Sequence, residues 1–287
     1  MRDIDIVVGT DGSAAGTSAV RWAATQADRC GARLRIVCVY HWHLLGPGVP
    51  TVRLDAPARE QAGAVLAVAV ADARGVQPAV DVRGRMVLGL PTDALLTEAK
   101  TAALLVVGSH GRGALASALL GSVGLQIATE SSCPVVVVRG RAHTAIGPVV
   151  AAIDGTPSSD RVLTTGFEEA YRRGCGLVAV RTVPTDALRA RAGIPVPAGP
   201  AGALRALVAV DVTDAVARVQ ERYPTVPVEV ELAGGNPADI LVAASRSAQL
   251  VVLDGHGRGS AIGPALDPVT HHLLQRSDCP VLVLRGA

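Results

Sequence analysis

Short apolar, β-branched runs alternate along this chain with longer stretches whose apolar residues recur at helical spacing. Ile4–Gly9 reads as a strand, and Ala14–Arg29 carries Val20, Trp22, Ala23 and Ala27 in a helical pattern. Leu34–Tyr40 is a second strand, and Ala58–Ala73 a second helix. Between them His41–Pro57, with glycine or proline at 46, 47, 48 and 50, reads as a loop. Val80–Arg85 alternates like a strand, and Thr92–Lys100, behind Gly-Leu-Pro, is a helix. Leu104–Gly108 is a fully apolar strand, Ser122–Glu130 a helix and Pro134–Arg139 a final strand. Strand–helix alternation of this kind predicts a parallel sheet with helices on both faces. Continuous apolar strands such as 104–108 suit positions buried on both sides. Ligands of such sheets bind beyond the carboxyl ends of the strands.

The pattern then repeats. Val7–Ser13 (VVGTDGS) matches Val150–Thr156 (VAAIDGT), an offset of 143 residues. Gly89-Leu90-Pro91 matches Gly235-Asn236-Pro237, Leu104–Gly113 matches Leu250–Gly259, and Ser132–Gly140 matches Asp278–Gly286, all at an offset of 146. Two domains follow, 1–142 and 146–287, joined near Ala142–Pro148. The expected architecture is α/β, with two tandem doubly wound parallel sheets.

Composition removes several classes. With 27 basic and 25 acidic residues and 2% aromatics, the chain lacks the basic excess and stacking rings of a nucleic-acid binder. Two aspartates interrupt the first apolar run, and Ala62–Ala71 falls short of the ~20 residues of a membrane span. A cytoplasmic protein with no membrane partner is expected. Five dispersed cysteines form no CxxC pair and read as small core residues. His41, His43, His271 and His272 lack a cysteine or carboxylate cluster around them, so no metal site is expected there.

The candidate chemistry lies just after the strands. Gly9-Thr10-Asp11-Gly12-Ser13 follows the first; Asp11 either caps the next helix or offers an acceptor suited to an adenine or ribose. Gly108-Ser109-His110-Gly111-Arg112-Gly113 follows the fourth, and nine residues separate Gly111 from Gly121-Ser122, which opens a helix. Glycines bring backbone N–H groups close to an anion, and a helix N-terminus adds unpaired donors and partial positive charge. Arg112 adds a full charge. The P-loop Gly-Lys-Ser/Thr is absent, because the only lysine, Lys100, follows alanine. His110 has no nucleophile beside it in sequence and reads as a binding-loop residue.

Gly108, Gly111, Gly121 and Ser122 spell Gly-x2-Gly-x9-Gly-Ser, and the chain resembles the universal stress protein family in its tandem form. Asp11, Val39 at the end of the second strand and the CPVVVVR final strand extend the resemblance. It implies a five-stranded sheet of order 3-2-1-4-5 in each domain. It also implies an ATP site: Asp11 facing the adenine and the backbone at Val39 reading the base edge. Gly108–Gly113 would wrap ribose and phosphates, and Gly121, Ser122 and Val123 would hold the terminal phosphates. The implied role is regulatory, in stress tolerance, without efficient catalysis. A slow ATP-hydrolysing or nucleotidyl-transferring enzyme, or a scaffold with a vestigial site, are the alternatives. A protein partner and a homodimer are compatible with the resemblance, and final strands can pair across two domains.

The second copy departs from this pattern. Asp154 and Gly257 remain, but Asp254 stands where the first copy has Gly108, and Asp267-Pro268 where it has Gly121-Ser122. Thr182 replaces Val39. Proline has no N–H to offer, and two carboxylates face the expected phosphate path. A triphosphate is expected in the first copy and, in the second, only with a divalent ion such as magnesium.

Overall fold

The computed structural model describes residues 4–40, 56–111, 120–144, 146–183, 198–255 and 266–285. The chain divides into two compact units that meet in sequence at Ala142 and His143.

In unit 1 the elements run β1 (Asp5–Thr10), α1 (Ala14–Cys30), β2 (Arg33–Tyr40), α2 (Ala56–Val76), β3 (Val82–Leu88), α3 (Pro91–Ala99), β4 (Leu104–Gly108), α4 (Ser122–Glu130) and β5 (Val135–Val138). The strands are parallel in the order β3-β2-β1-β4-β5. Strand β1 lies between two neighbours, with Val8 opposite Ile36 of β2 and Val106 of β4. Val7, Val8, Leu34, Ile36, Leu105 and Val106 are buried, and all four residues of β5 are too. Sheet order reverses between β1 and β4, so their carboxyl ends leave a crevice there.

Helix α1 starts where Ser13 accepts a hydrogen bond from Gly16 N at 3.1 Å, and ends at Gly31, whose φ of 59° permits the left-handed turn. The cap is therefore Ser13 rather than Asp11. Two elements depart from the expected boundaries by two to three residues at each end: α2 runs Ala56–Val76, not Ala58–Ala73, and the third strand runs Val82–Leu88, not Val80–Arg85. As the edge strand it is covered on one side only, so Arg83–Met86 are exposed and supply little apolar contrast. Gly84 interrupts the pattern because α2 lies against it; a Cβ there would sit 3.0 Å from Val70 and 3.1 Å from Leu66.

Glu98 of α3 is buried and is shared by Arg35 at 3.3 Å and Arg85 at 3.0 Å. Removing the acid leaves Arg35 with Thr101 Oγ1 at 3.2 Å and Asp5 at 4.0 Å, and Arg85 with solvent. The Glu98→Ala variant should therefore destabilise unit 1 by about 1 kcal/mol. Faster hydrogen exchange of the β2 amides would report it; unchanged exchange would show that the pair contributes nothing.

In unit 2 the elements are β6 (Val149–Ile153), α5 (Ser159–Arg173), β7 (Leu177–Val183), α6 (Ala198–Gln220), β8 (Val228–Gly234), α7 (Pro237–Ser245), β9 (Leu250–Asp254), α8 (Pro268–Arg276) and β10 (Val281–Leu284). The parallel order is β8-β7-β6-β9-β10, the same winding as in unit 1. Gly147, with φ 109°, precedes β6. Its carbonyl accepts from Gln249 Nε2 at 2.7 Å, and the Pro148 carbonyl accepts from Gln249 N at 2.9 Å.

Cys38, Cys133 and Cys279 are buried as expected, and Cys30 and Cys175 half-buried. Among the described residues no helix is long and apolar enough to cross a membrane.

Candidate functional site

In unit 1 the crevice at the carboxyl ends of β1 and β4 opens into a cavity of about 490 Å³. Its floor is apolar: Val37, Val39, Leu95 and Val107. Asp11 stands at one side, and Gly108, Gly111 and the start of α4 at the other.

Asp11 Oδ1 accepts from Ser13 N at 2.9 Å, which fixes the turn between β1 and α1. Its Oδ2 faces the other loop, only 2.9 Å from where a Cβ on Gly111 would lie. A side chain at 111 would push that carboxylate oxygen aside. Gly108 is tighter still: a Cβ would lie 2.8 Å from the carbonyl carbon and oxygen of Ala15. Gly16 has the same role beneath Asp11, with Oδ1 3.0 Å from its Cβ position.

Ser109 ties this corner together through its backbone. Its N–H donates to Val138 O at 3.0 Å, and its carbonyl accepts from Gly121 N at 2.8 Å. Its hydroxyl shares a 3.0 Å hydrogen bond with His110 Nδ1. His110, and not Ser109, lines the cavity.

Gly121 is the N-cap of α4 and has no side chain to satisfy the first turn. The opening N–H groups of a helix have no intrahelical acceptor. Those of Ser122, Val123 and Gly124 lie on the cavity wall. The arrangement presents backbone donors and the positive end of a helix dipole to whatever occupies that end, and it suits an anion.

Of the residues singled out from sequence, Gly9, Asp11, Val39, Gly108, Gly111, Gly121, Ser122 and Val123 line the one cavity. Ser109 positions them from behind. Arg112, Gly113 and Gly257 lie outside the described residues. The structure adds Gly16, Val37, Pro91, Leu95 and Val107. Only Pro91 carried a sequence signal, since the Gly-Leu-Pro motif recurs as Gly-Asn-Pro in the second copy.

Unit 2 has a cavity of about 430 Å³ at the same corner. Here Asp267 caps α8: Oδ1 accepts from Val269 N at 2.8 Å and Thr270 N at 3.1 Å, and Oδ2 takes the Thr270 hydroxyl. Pro268, at the first helical position, has no N–H. Two of the N–H groups that open α8 are thus taken by the chain's own carboxylate, a cap that Gly121 cannot give α4. Asp254 lines the cavity at the position of Gly108. The helix that meets this loop, α5, starts at Ser159, two residues later than α1 does by the 143-residue offset.

Asp154 Oδ1 accepts from Thr156 N at 2.9 Å, Thr156 Oγ1 at 2.6 Å and Ser159 Oγ at 3.1 Å. Burial pushes this carboxyl's pKa up, but those bonds and the charge of Arg181 outweigh it and hold it below the usual carboxylate range. Arg181 is buried and donates to Ile153 O at 3.4 Å. Gly155, at φ 74°, makes room for it; a Cβ there would meet Arg181 Nη2 at 2.7 Å. His272 faces Asp239 at 3.7 Å, and His271 faces Gln275 at 3.3 Å. Among the described residues no three His, Cys, Asp or Glu side chains converge on one point.

Fold and pockets together define a tandem parallel α/β protein with an open crevice at the carboxyl ends of the strands in each unit. A sequence profile of the Universal stress protein family matches residues 5–139 and again residues 146–285. A universal stress protein of Mycolicibacterium smegmatis is 37% identical over 298 residues, covering 98% of this chain and 96% of the relative. One from Mycobacterium tuberculosis is 33% identical over 291 residues, with the same coverage. The crystal structure of a universal stress protein from Archaeoglobus fulgidus superposes with a TM-score of 0.72 over 100% of both chains, at 17% identity, a likeness of fold. The chain belongs to the universal stress protein family.

Proposed function

We propose that unit 1 binds an adenine nucleotide, ATP, and that its occupancy regulates a stress response rather than driving turnover. The observation that carries this is the uncapped start of α4, aimed into the cavity beside Gly108 and Gly111. The phosphates lie against Gly121, Ser122 and Val123. The base and ribose lie over Val37 and Val39, with Asp11 as the acceptor. The cavity volume falls within the range of small-ligand sites. A bound nucleotide adds contacts to one conformation of the crevice and so shifts its population, which a partner protein reads.

The test is calorimetric titration of the full chain with ATP and magnesium, followed by analysis of the recovered nucleotide. One ATP bound per chain and recovered intact is the expected result. Rapid release of phosphate would replace the regulatory reading with a hydrolytic one, and absence of binding would remove the site.

A further inference from the structure

The two cavities correspond position by position. At the 143-residue offset Asp11, Val37 and Val39 become Asp154, Val180 and Thr182; at 146, Pro91, Leu95 and Val107 become Pro237, Leu241 and Leu253. Most of the apolar floor and the acceptor at its side are therefore kept in unit 2, although Thr182 replaces Val39 and the buried Arg181 joins the wall. The acidic differences lie where Gly108, Gly121 and Ser122 become Asp254, Asp267 and Pro268.

Those changes act together. Asp267 fills the anion position of α8 with its own carboxylate, and Pro268 removes one N–H outright. Asp254 adds a second negative charge on the wall. A vestigial site has no reason to keep its floor open, yet about 430 Å³ remains, lined by Leu241, Leu253 and Val180.

We infer that unit 2 is a phosphate-excluding site for a nucleoside: an aromatic heterocycle over the apolar floor, with donor groups toward the acidic end. The choice of a nucleoside over another donor-bearing ring rests on the adenine-nucleotide reading of unit 1. Affinity in unit 2 falls in the order adenosine, AMP, ATP, with at least about a tenfold loss from first to last, equivalent to about 1.4 kcal/mol.

The experiment is to saturate the full chain with ATP and then titrate adenosine, following both by calorimetry. One further equivalent of adenosine should bind, and Thr182→Trp, which fills the unit 2 cavity, should abolish this second event only. The triple variant Asp254→Gly/Asp267→Gly/Pro268→Ser should raise the ATP affinity of the second site at least about tenfold, back toward that of unit 1. No adenosine uptake by the ATP-saturated wild type, uptake that survives Thr182→Trp, or ATP binding as tightly as adenosine in unit 2 would each overturn the inference. A chain that takes up adenosine in unit 2 but no ATP in unit 1 would instead sink the reading of unit 1 and leave this one standing.

Discussion

Replacing Gly121-Ser122 by the residues of unit 2, in the double variant Gly121→Asp/Ser122→Pro, is expected to weaken ATP binding by at least about 100-fold, equivalent to about 2.7 kcal/mol. The backbone already accepts the exchange: Gly121 has φ −65° and ψ 153°, and Asp267 has φ −67° and ψ 156°. Among the described residues, a Cβ at 121 meets nothing nearer than His110 Cα at 3.5 Å. The new carboxylate would cap α4, contributing about 0.3 kcal/mol to its stability over the glycine cap. It would also repel phosphate: two like charges 4 Å apart cost about 4 kcal/mol at an effective dielectric of 20, against about 0.3–1 kcal/mol offered by a helix terminus. Repulsion wins, and it acts on the ligand alone. The variant should therefore melt no lower than the parent chain while losing ATP, which calorimetry and thermal unfolding measure together. Retention of full affinity would show that the start of α4 does not face the phosphates.

The second large effect is expected at Gly147. A Cβ there would lie 1.9 Å from the carbonyl oxygen of Ser247 and 3.0 Å from its carbon, both backbone atoms that cannot swing aside. The residue also holds φ 109°, which an L side chain rarely adopts. The two costs fall on the same atoms, because moving Gly147 breaks the Gln249 hydrogen bonds that fasten the entry of β6 beside the start of β9. Gly147→Ala should cost more than about 4 kcal/mol, in the range that marks a named steric fault. In the full chain the amides of β6 and β9 would lose their exchange protection while those of β1 and β4 keep theirs. Native protection in unit 2 would refute the clash.

Legibility in the sequence followed burial. Strands β4 and β5 were plain because both faces are covered and every residue can be apolar. Strand β3 was misplaced by two or three residues because an edge strand backed by a helix keeps no regular alternation. The polar half of the candidate site was readable for a different reason. Glycines that admit close approach, as at Gly108 and Gly111, and an aspartate after a strand stand out from any core pattern. Val37, Leu95 and Val107 did not, since an apolar residue on the floor of a cavity looks in sequence like one packed in a core. The capping by Asp267 was foreseeable from its place before Pro268. That it takes both Val269 N and Thr270 N, leaving no donor over, needed the coordinates.

The open start of α4 also bears on how long the protein lasts. A helix whose first turn lacks an acceptor is prone to fray, and a segment that frays is where proteases cut. An anion seated on Gly121–Val123 would close that end, whereas the corresponding turn of α8 is closed already by Asp267. If unit 1 holds a nucleotide as proposed, limited proteolysis of the full chain should cut near the start of α4 first, and ATP should slow that cut.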